Sequence, residues 1–239
     1  MCTLALMLAA CPFPNKKKDN TPASLTPASL AGSWFGTFED NIGIMHSLSV
    51  TINSSGAITQ ILVDAVNNGI TGTITKSPSG TSLFSFSFSS GQVGGFHVDS
   101  GVAHAAFLVD DFSIGVLQKG ASSLPTYLAN DIAGAWSGYS VTLNSDFSVN
   151  QTFNSNATVD NNMSRTFVGS DIYGTFSGSF PTTSINTTTY GRWIGTYYNA
   201  STSGPVRVFL SPDKIFAATW ACNTPISFPT GCSFSAWQK

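Results

Sequence analysis

The sequence predicts an all-β protein, built as a tandem duplication of antiparallel up-and-down meanders of about 100 residues each, a common domain size. Composition is the first of three observations behind this prediction. Charged residues make up 9% of the 239 residues, and Glu occurs once, at Glu39, whereas Phe occurs 18 times. Average soluble domains contain about 25% charged residues. Scarce helix formers with abundant β-branched and aromatic residues favour strands.

An internal repeat is the second observation. The segment 30–36, with Trp34, recurs as 132–138, with Trp136, at an offset of 102 residues. Three further similarities extend the match, at 70–73 with 172–175, at 107–108 with 209–210, and, at an offset of 91, at 49–54 with 140–145. The pattern G-x-W-x-G also appears a third time, at 191–195. Because Trp is rare, the repeat indicates two duplicated units.

Period-2 alternation is the third observation, and it is clearest where Phe84, Phe86 and Phe88 alternate with serines. Such alternation places apolar side chains on one face of a strand. The strands expected in the first copy are 33–39, 44–53, 57–64, 69–76, 82–90, 94–99, 102–109 and 112–118. Those expected in the second copy are 134–143, 147–154, 164–168, 171–180, 184–189, 191–199, 205–211, 214–221 and 232–238.

Short turns rich in Gly, Asn, Asp and Ser separate these strands, so neighbouring strands must be antiparallel. A meander of this kind hides its edges by closing into a small β-barrel, or alternatively by folding into a β-sandwich. A transmembrane barrel is a weaker interpretation, because several strands are shorter than the 9–11 residues that span a bilayer.

The N-terminal run ends in Leu8-Ala9-Ala10-Cys11, which resembles the lipobox of bacterial lipoproteins. This resemblance implies a signal peptide at 1–10 that is removed and a lipid on Cys11. It implies a cell-envelope location, and Pro12 after the cysteine favours the outer membrane in that family. Residues 11–30 are rich in Pro, Ser, Thr and Lys and are expected to form a flexible tether.

The expected organisation beyond the tether is a β-domain at 31–120, a linker at 121–131 and a second β-domain at 132–239. With Cys2 in the signal and Cys11 lipidated, Cys222 and Cys232 remain as a pair. In an exported protein, this pair predicts a disulfide that closes a surface loop. No zinc or redox motif has this spacing.

The opening G-x-W of each copy resembles the first strand of lipocalins and avidins. The matching residues are Gly32 and Trp34 in the first copy, and Gly134 and Trp136 in the second. The resemblance implies that a Trp plugs one end of an eight-stranded barrel. It covers one strand in each copy.

Charge and motifs limit the function classes. Residues 31–239 carry seven basic and eleven acidic side chains, a net charge of −4, which excludes the basic face that nucleic acids need. No catalytic motif or cofactor site is predicted, and therefore no catalytic residue and no cofactor. The only metal candidates are His97, Asp99 and His104 on neighbouring strands of the first copy.

Three classes of function are expected in consequence. The first is a non-enzymatic binding or assembly module, anchored to the membrane by its lipid, that contacts another envelope protein or a glycan through Trp193, Tyr197, Arg192 and Arg207. For Trp193, packing in the core is the favoured alternative. The second is a lipocalin-like carrier with an apolar ligand beside Phe84, Phe86 and Phe88. The third is a metal-dependent enzyme that uses the histidines of the first copy.

Overall fold

The computed structural model of the chain describes residues 25–76, 82–98, 102–146, 149–181, 185–224 and 230–239. The expected signal peptide, Cys11 and most of the tether lie outside the described residues, and so does Asp99. No helix within these ranges is long and apolar enough to cross a membrane.

The first sheet is a closed ring of eight antiparallel strands to which one short strand is attached. Its strands are β1 (Gly32–Glu39), β2 (Met45–Ile52), β3 (Ala57–Val63), β4 (Val66–Asn67), β5 (Gly72–Lys76), β6 (Leu83–Phe88), β7 (Val93–Val98), β8 (His104–Val109) and β9 (Ile114–Lys119). The ring closes because β1 pairs with both β2 and β9, and β3 pairs with β2 and β5. β4 pairs with β3 alone, outside the ring.

The second sheet repeats this plan. Its strands are β10 (Gly134–Leu143), β11 (Val149–Val159), β12 (Thr166–Asp171), β13 (Gly174–Ser179), β14 (Ile185–Asn186), β15 (Arg192–Asn199), β16 (Ser203–Leu210), β17 (Phe216–Cys222) and β18 (Cys232–Gln238). β10 pairs with β11 and β18, and β13 pairs with β12 and β15, which closes eight strands. β14 and the short helix α1 (Thr187–Tyr190) lie in the connection to β15.

The predicted fold class is therefore confirmed, and the closure selects barrels over sandwiches. Some strand predictions in the second copy were wrong. β11 extends to Val159 rather than ending at 154, and β12 extends to Asp171. The turn between β12 and β13 lies at 172–173, where the Asp171 carboxylate accepts a hydrogen bond from the Tyr173 backbone N–H at 2.7 Å. A strand was expected at 184–189, but Thr187–Tyr190 forms α1.

The duplicated G-x-W segments build the same closed end in both barrels. The indole N–H of Trp34 donates to the Leu30 carbonyl at 2.8 Å, and that of Trp136 donates to the Ile132 carbonyl at the same distance. Each indole also lies beneath a lysine ammonium, that of Lys119 at 5.8 Å from the ring centroid and that of Lys239 at 5.4 Å. Each Trp is therefore held by a backbone hydrogen bond and a cation–π contact.

The two barrels pack against each other through the outer faces of their walls. The first barrel contributes Met45, Leu108, Ile114 and Val116, and the second contributes Phe209, Phe216, Ala218, Trp220, Phe234 and Ala236. Polar contacts flank this apolar layer, since the Gln118 side chain accepts a hydrogen bond from the Asp213 backbone N–H at 2.8 Å. The barrels therefore share one continuous interface.

Candidate functional site

Each barrel encloses a cavity, and the two cavities differ in size and lining. The cavity of the second barrel has a volume of about 520 Å³, and that of the first about 240 Å³. Small-molecule sites in proteins range over roughly 300–1,000 Å³. The second cavity falls within this range, and the first falls below it.

The second cavity opens at the end opposite Trp136. A rim surrounds the opening, formed by Tyr197, Asn199, Thr202 and Asn223. The Asn223 side-chain oxygen accepts hydrogen bonds from the hydroxyl groups of Tyr197 and Thr202. Partial burial raises the pKa of Tyr197, so this phenol stays protonated and remains a donor at neutral pH. The rim is therefore held by neutral hydrogen bonds.

A disulfide joins Cys222 to Cys232, as predicted, with their Cα atoms 4.0 Å apart. These residues end β17 and begin β18, and they face each other in the strand register. Asn223 of the rim follows Cys222 directly, and Cys232 itself lines the cavity. The disulfide therefore ties the two strands at the mouth of the second barrel.

Deeper in the second barrel, four hydroxyl side chains form a polar girdle, Ser155, Ser140, Ser235 and Thr219, on the neighbouring strands β11, β10, β18 and β17. The Ser140 hydroxyl lies 2.8 Å from that of Ser155 and 2.6 Å from that of Ser235. The Trp237 indole N–H donates to the Ser155 hydroxyl at 2.9 Å. Aromatic rings, among them Trp136 and Phe153, line the same space.

The first barrel carries no such girdle at the matching positions, which the strand registers identify. Gly36 pairs with Leu48 in the first barrel, and the matching pair in the second is Gly138 with Ser155. Likewise, Phe38 pairs with Gly115 in the first barrel, and the matching pair is Ser140 with Ser235. Gly115 in turn pairs with Phe107, where Ser235 pairs with Thr219. The girdle residues therefore match, in order, Leu48, Phe38, Gly115 and Phe107. The first interior is apolar at this level, and phenylalanine rings occupy space that hydroxyl side chains leave open in the second barrel.

Sequence reasoning missed the girdle because it chose the wrong alignment for β10. The offset of 91 aligned Ser140 with Ser49, which lies on β2. The structure makes β10 the counterpart of β1, so the offset of 102 holds and Ser140 corresponds to Phe38. The match of 107–108 with 209–210 was also wrong, because these pairs lie on the seventh strand of one ring and the sixth of the other.

The four residues expected to form a contact patch occupy different environments. Trp193 is fully buried inside the second barrel, whereas Tyr197 belongs to the rim. Arg192 and Arg207 reach into the interface between the barrels. There the Arg192 guanidinium pairs with the Glu39 carboxylate at 2.7 Å, and Arg207 pairs with the other oxygen of Glu39.

Glu39, the single Glu of the chain, forms ion pairs with two arginines at the interface between the barrels. The Glu39 side chain is 1% exposed, and its two oxygens face two guanidinium groups. The Arg207 guanidinium also lies 5.1 Å from the Trp220 ring centroid. Burial lowers the pKa of Arg192 and Arg207 below the ordinary value of a guanidinium group. A buried carboxylate shared by two arginines favours one arrangement of the barrels, since any other leaves a buried charge unpaired.

The histidines named as metal candidates lie in two different contacts. His104 is buried at the interface and its Nε2 lies 2.6 Å from an Asp213 carboxylate oxygen. The His97 ring packs against Tyr139 of the second barrel with centroids 5.8 Å apart. Among the residues that the structure describes, no group of three or more His, Cys, Asp or Glu side chains could hold a metal ion.

A histidine that sequence reasoning left aside bridges two turns at the mouth of the first barrel. His46 Nδ1 lies 2.7 Å from the Asp64 carboxylate, and Nε2 lies 3.2 Å from that of Asp40. Partial burial would lower the pKa of His46, but its hydrogen bonds to both carboxylates outweigh burial and raise that pKa above 6.5. Burial would likewise raise the pKa of Asp40 and Asp64, but hydrogen bonds to backbone N–H groups and His46 lower both.

No protein-family model matches this chain, and no curated protein matches it significantly. Among solved structures, the chain is similar to a protein of unknown function from the DUF3598 family of Nostoc punctiforme, with 12% identity, a TM-score of 0.38, and coverage of 87% of this chain and 96% of that one. A candidate outer membrane protein from Bacteroides fragilis shows 12% identity, a TM-score of 0.33, and coverage of 90% and 100%. Neither similarity is close enough to transfer a function.

Proposed function

We propose that this chain is a non-enzymatic binding protein of the bacterial cell envelope and that its second barrel binds a small molecule. The observation that carries the proposal is the cavity of about 520 Å³, open at one end and lined by both aromatic and neutral polar side chains. Concave, mostly preformed cavities that combine apolar walls with a few polar groups are the usual form of small-molecule sites.

The two ends of the second barrel support this assignment. Trp136 and its hydrogen bond to Ile132 close one end, so a ligand must enter through the rim. The disulfide and the hydrogen bonds to Asn223 hold that rim in place before a ligand arrives. A site that is formed in advance loses less conformational entropy on binding.

The envelope location rests on the lipobox-like segment ending at Cys11 and on the disulfide, which persists in oxidising compartments. A lipid on Cys11 and a tether would hold the two barrels near a membrane surface. The proposal also includes binding of another envelope protein or a glycan. Whether the second barrel holds a ligand or is empty would influence that binding.

Native mass spectrometry on protein extracted from its host membrane tests both parts. We expect a chain that begins at Cys11 with acyl chains and carries a small molecule. The double variant Ser140→Phe with Ser235→Gly, which fills the second cavity, should lose that molecule and keep the acyl chains. A chain that begins at Met1 without acyl groups would contradict the anchor. A wild-type chain that carries no small molecule and takes none up from a host extract would contradict the binding site.

A further inference from the structure

The polar girdle has more hydroxyl hydrogens than the hydrogen bonds within it can use. Three serine hydroxyl groups supply three hydrogens, but two oxygen–oxygen contacts, at 2.8 and 2.6 Å, join them in a row. Whichever way the hydrogens point, one of the three has no acceptor within the row. The Trp237 indole N–H donates to the Ser155 oxygen, so it does not accept any of the three hydroxyl hydrogens. The three serines are at least nine-tenths buried and line the cavity, and their hydroxyl groups have no further hydrogen-bond partner among the described residues, so the remaining hydrogen is available to a molecule in the cavity.

Thr219 adds a second donor beside the row. It faces Ser235 across the β17–β18 pairing and is 5% exposed, and it lines the cavity. Its hydroxyl forms no hydrogen bond with the residues that the structure describes. Because Thr219 lines the cavity, this hydroxyl is open to a molecule inside it. Two donors of this kind, adjacent on the wall of one cavity, are arranged to meet an acceptor atom of a ligand.

The electrostatics of the cavity exclude a charged ligand head at this depth. Among the described residues that line the cavity, Asp171 is the only one with a formal charge, and it lies at the turn between β12 and β13. An anionic group beside the girdle would have no cationic partner, and an ammonium would meet only hydroxyl groups and rings. Burying an unpaired charge is far more costly than burying a neutral acceptor.

The walls around the girdle favour a flat apolar body. Trp136, Phe153, Phe167 and Trp237 line the cavity together with aliphatic side chains. Aromatic rings contact planar groups over a large area. The cavity therefore offers apolar walls for the body of a ligand and hydroxyl donors for one polar atom.

We propose that the second barrel binds an uncharged molecule with a flat apolar body and a carbonyl, ether or hydroxyl oxygen, and that this oxygen accepts hydrogen bonds from the polar girdle. This inference rests on the proposed small-molecule site and specifies its ligand class. The first barrel, with Leu48, Phe38, Gly115 and Phe107 at the same positions, does not bind such a molecule.

Three probes of similar shape test the proposal, measured by titration calorimetry or by quenching of Trp fluorescence. They are 2-acetylnaphthalene, which has an acceptor oxygen, 2-isopropylnaphthalene, which lacks it, and 2-naphthoate, which is an anion. The test variants are Thr219→Val and the triple variant Ser140→Ala, Ser155→Ala, Ser235→Ala. The triple variant is needed because removing one serine still leaves at least one unused hydroxyl hydrogen. Thr175→Val, in the same cavity outside the girdle, is the matched control.

Since a neutral hydrogen bond contributes about 0.5–1.5 kcal/mol, Thr219→Val should weaken binding of the ketone about twofold to tenfold, and the triple variant by a similar factor. The hydrocarbon should bind all variants as it binds the wild type, which also shows that the cavity remains folded. Thr175→Val should change the affinity for neither the ketone nor the hydrocarbon. The naphthoate should bind the wild type at least about tenfold more weakly than the ketone.

The outcomes separate this inference from the proposed function. If both neutral probes bind but the girdle variants change their affinities equally, the oxygen is not recognised and the inference fails, while the small-molecule site stands. Equal affinity for the naphthoate and the ketone would also overturn it. If none of the probes binds the wild-type protein, the small-molecule site itself is contradicted.

Discussion

The two barrels share one scaffold and differ in what fills it. Both hold a Trp at the closed end by the same hydrogen bond and the same lysine contact, and both close eight antiparallel strands. Inside, Phe38 and Phe107 fill the first barrel where Ser140 and Thr219 line the second. A few inward-facing positions therefore decide how large a cavity a small barrel keeps and whether polar side chains line it.

Gly115 shows how the first interior accommodates its aromatic rings. A Cβ at Gly115 would lie 2.3 Å from the Thr37 carbonyl oxygen, 2.6 Å from Phe107 Cζ and 2.7 Å from Phe38 Cβ. The glycine therefore lets the neighbouring backbone and two phenylalanines approach closely. Its counterpart in the second barrel is Ser235, whose neighbours Ser140 and Thr219 are small. Side-chain volume is redistributed between matching positions, and the larger cavity results.

The largest expected effect comes from opening the first barrel. Phe107→Thr gives the first interior the side chain of Thr219, and it should lower the free energy of unfolding by about 3–5 kcal/mol, because a buried ring is lost and a cavity remains. Urea denaturation measures this change. The exposed substitution Val168→Thr on β12 is the control and should change stability by less than about 0.5 kcal/mol. A loss below about 1 kcal/mol for Phe107→Thr would show that the Phe107 ring contributes little to the packing of the first interior.

Filling the second barrel is the reciprocal change. The double variant Ser140→Phe with Ser235→Gly copies the Phe38–Gly115 pair into the second interior. We expect binding of the neutral probes to fall at least roughly 100-fold because the ring takes the place of ligand atoms, with little loss of stability. Calorimetry measures the affinity, and unfolding by urea checks the fold. Unchanged affinity in a folded variant would place the ligand elsewhere.

The disulfide distinguishes the mouths of the two barrels, since residues 31–120 contain no cysteine. Replacing Cys222 and Cys232 together by Ser should lower the free energy of unfolding by about 2–3 kcal/mol, according to the loop-entropy model. Probe affinity should fall as well, because Asn223 at the rim follows Cys222 directly. The oxidised and reduced wild-type proteins provide the matched comparison. Equal stability of both forms would contradict the prediction.

The smallest effect concerns pH and the mouth of the first barrel. Because the pKa of His46 is raised, its contribution to stability is complete below pH 6.5 and is lost as pH rises through the folded-state value. Because the pKa values of Asp40 and Asp64 are lowered, their contribution is complete above pH 3.8 and is lost as pH falls through the folded-state values. The cluster should therefore stabilise the protein most between these limits.

Thermal unfolding of the wild type and of His46→Gln across pH 4–9 checks this expectation. The free energy of unfolding of the wild type should exceed that of His46→Gln by about 1 kcal/mol between pH 4 and 6.5, since the cluster is partly exposed to solvent. This difference should shrink at alkaline pH. Probe affinity of the second barrel provides an internal control, because residues 121–239 contain no histidine. A difference that grows with rising pH would contradict the assignment.

Patterns local to the chain predicted much of this fold. Alternation in segments such as 82–90 and 232–238 identified strands that the structure contains as β6 and β18. The strand β11 was cut short at 154 because its last inward-facing residues include Ser155 and Ala157, which lack the apolar signal of an ordinary barrel interior. The same polarity that makes the second interior a candidate site therefore concealed the strand that carries it.

The candidate site was less predictable than the fold. The sequence pointed to Arg192 as a contact residue and named Trp193 with core packing as the favoured alternative, because aromatic and arginine side chains dominate many interfaces. The structure buries Trp193 and directs Arg192 to Glu39 across the interface between the barrels. That pairing joins residues that are 153 positions apart in the sequence. Local sequence patterns cannot predict a contact between residues so far apart in the chain.

The sequence by itself determined the all-β class, the duplication, the paired Trp positions and the disulfide, because composition, alternation, repetition and cysteine count act within short stretches of chain. The tertiary structure alone decided which strands are equivalent, where Glu39 finds its two arginines, and that Ser140, Ser155, Ser235 and Thr219 meet on one wall. These features depend on the register of strands that are distant in the chain, and register is set by closure of the whole barrel.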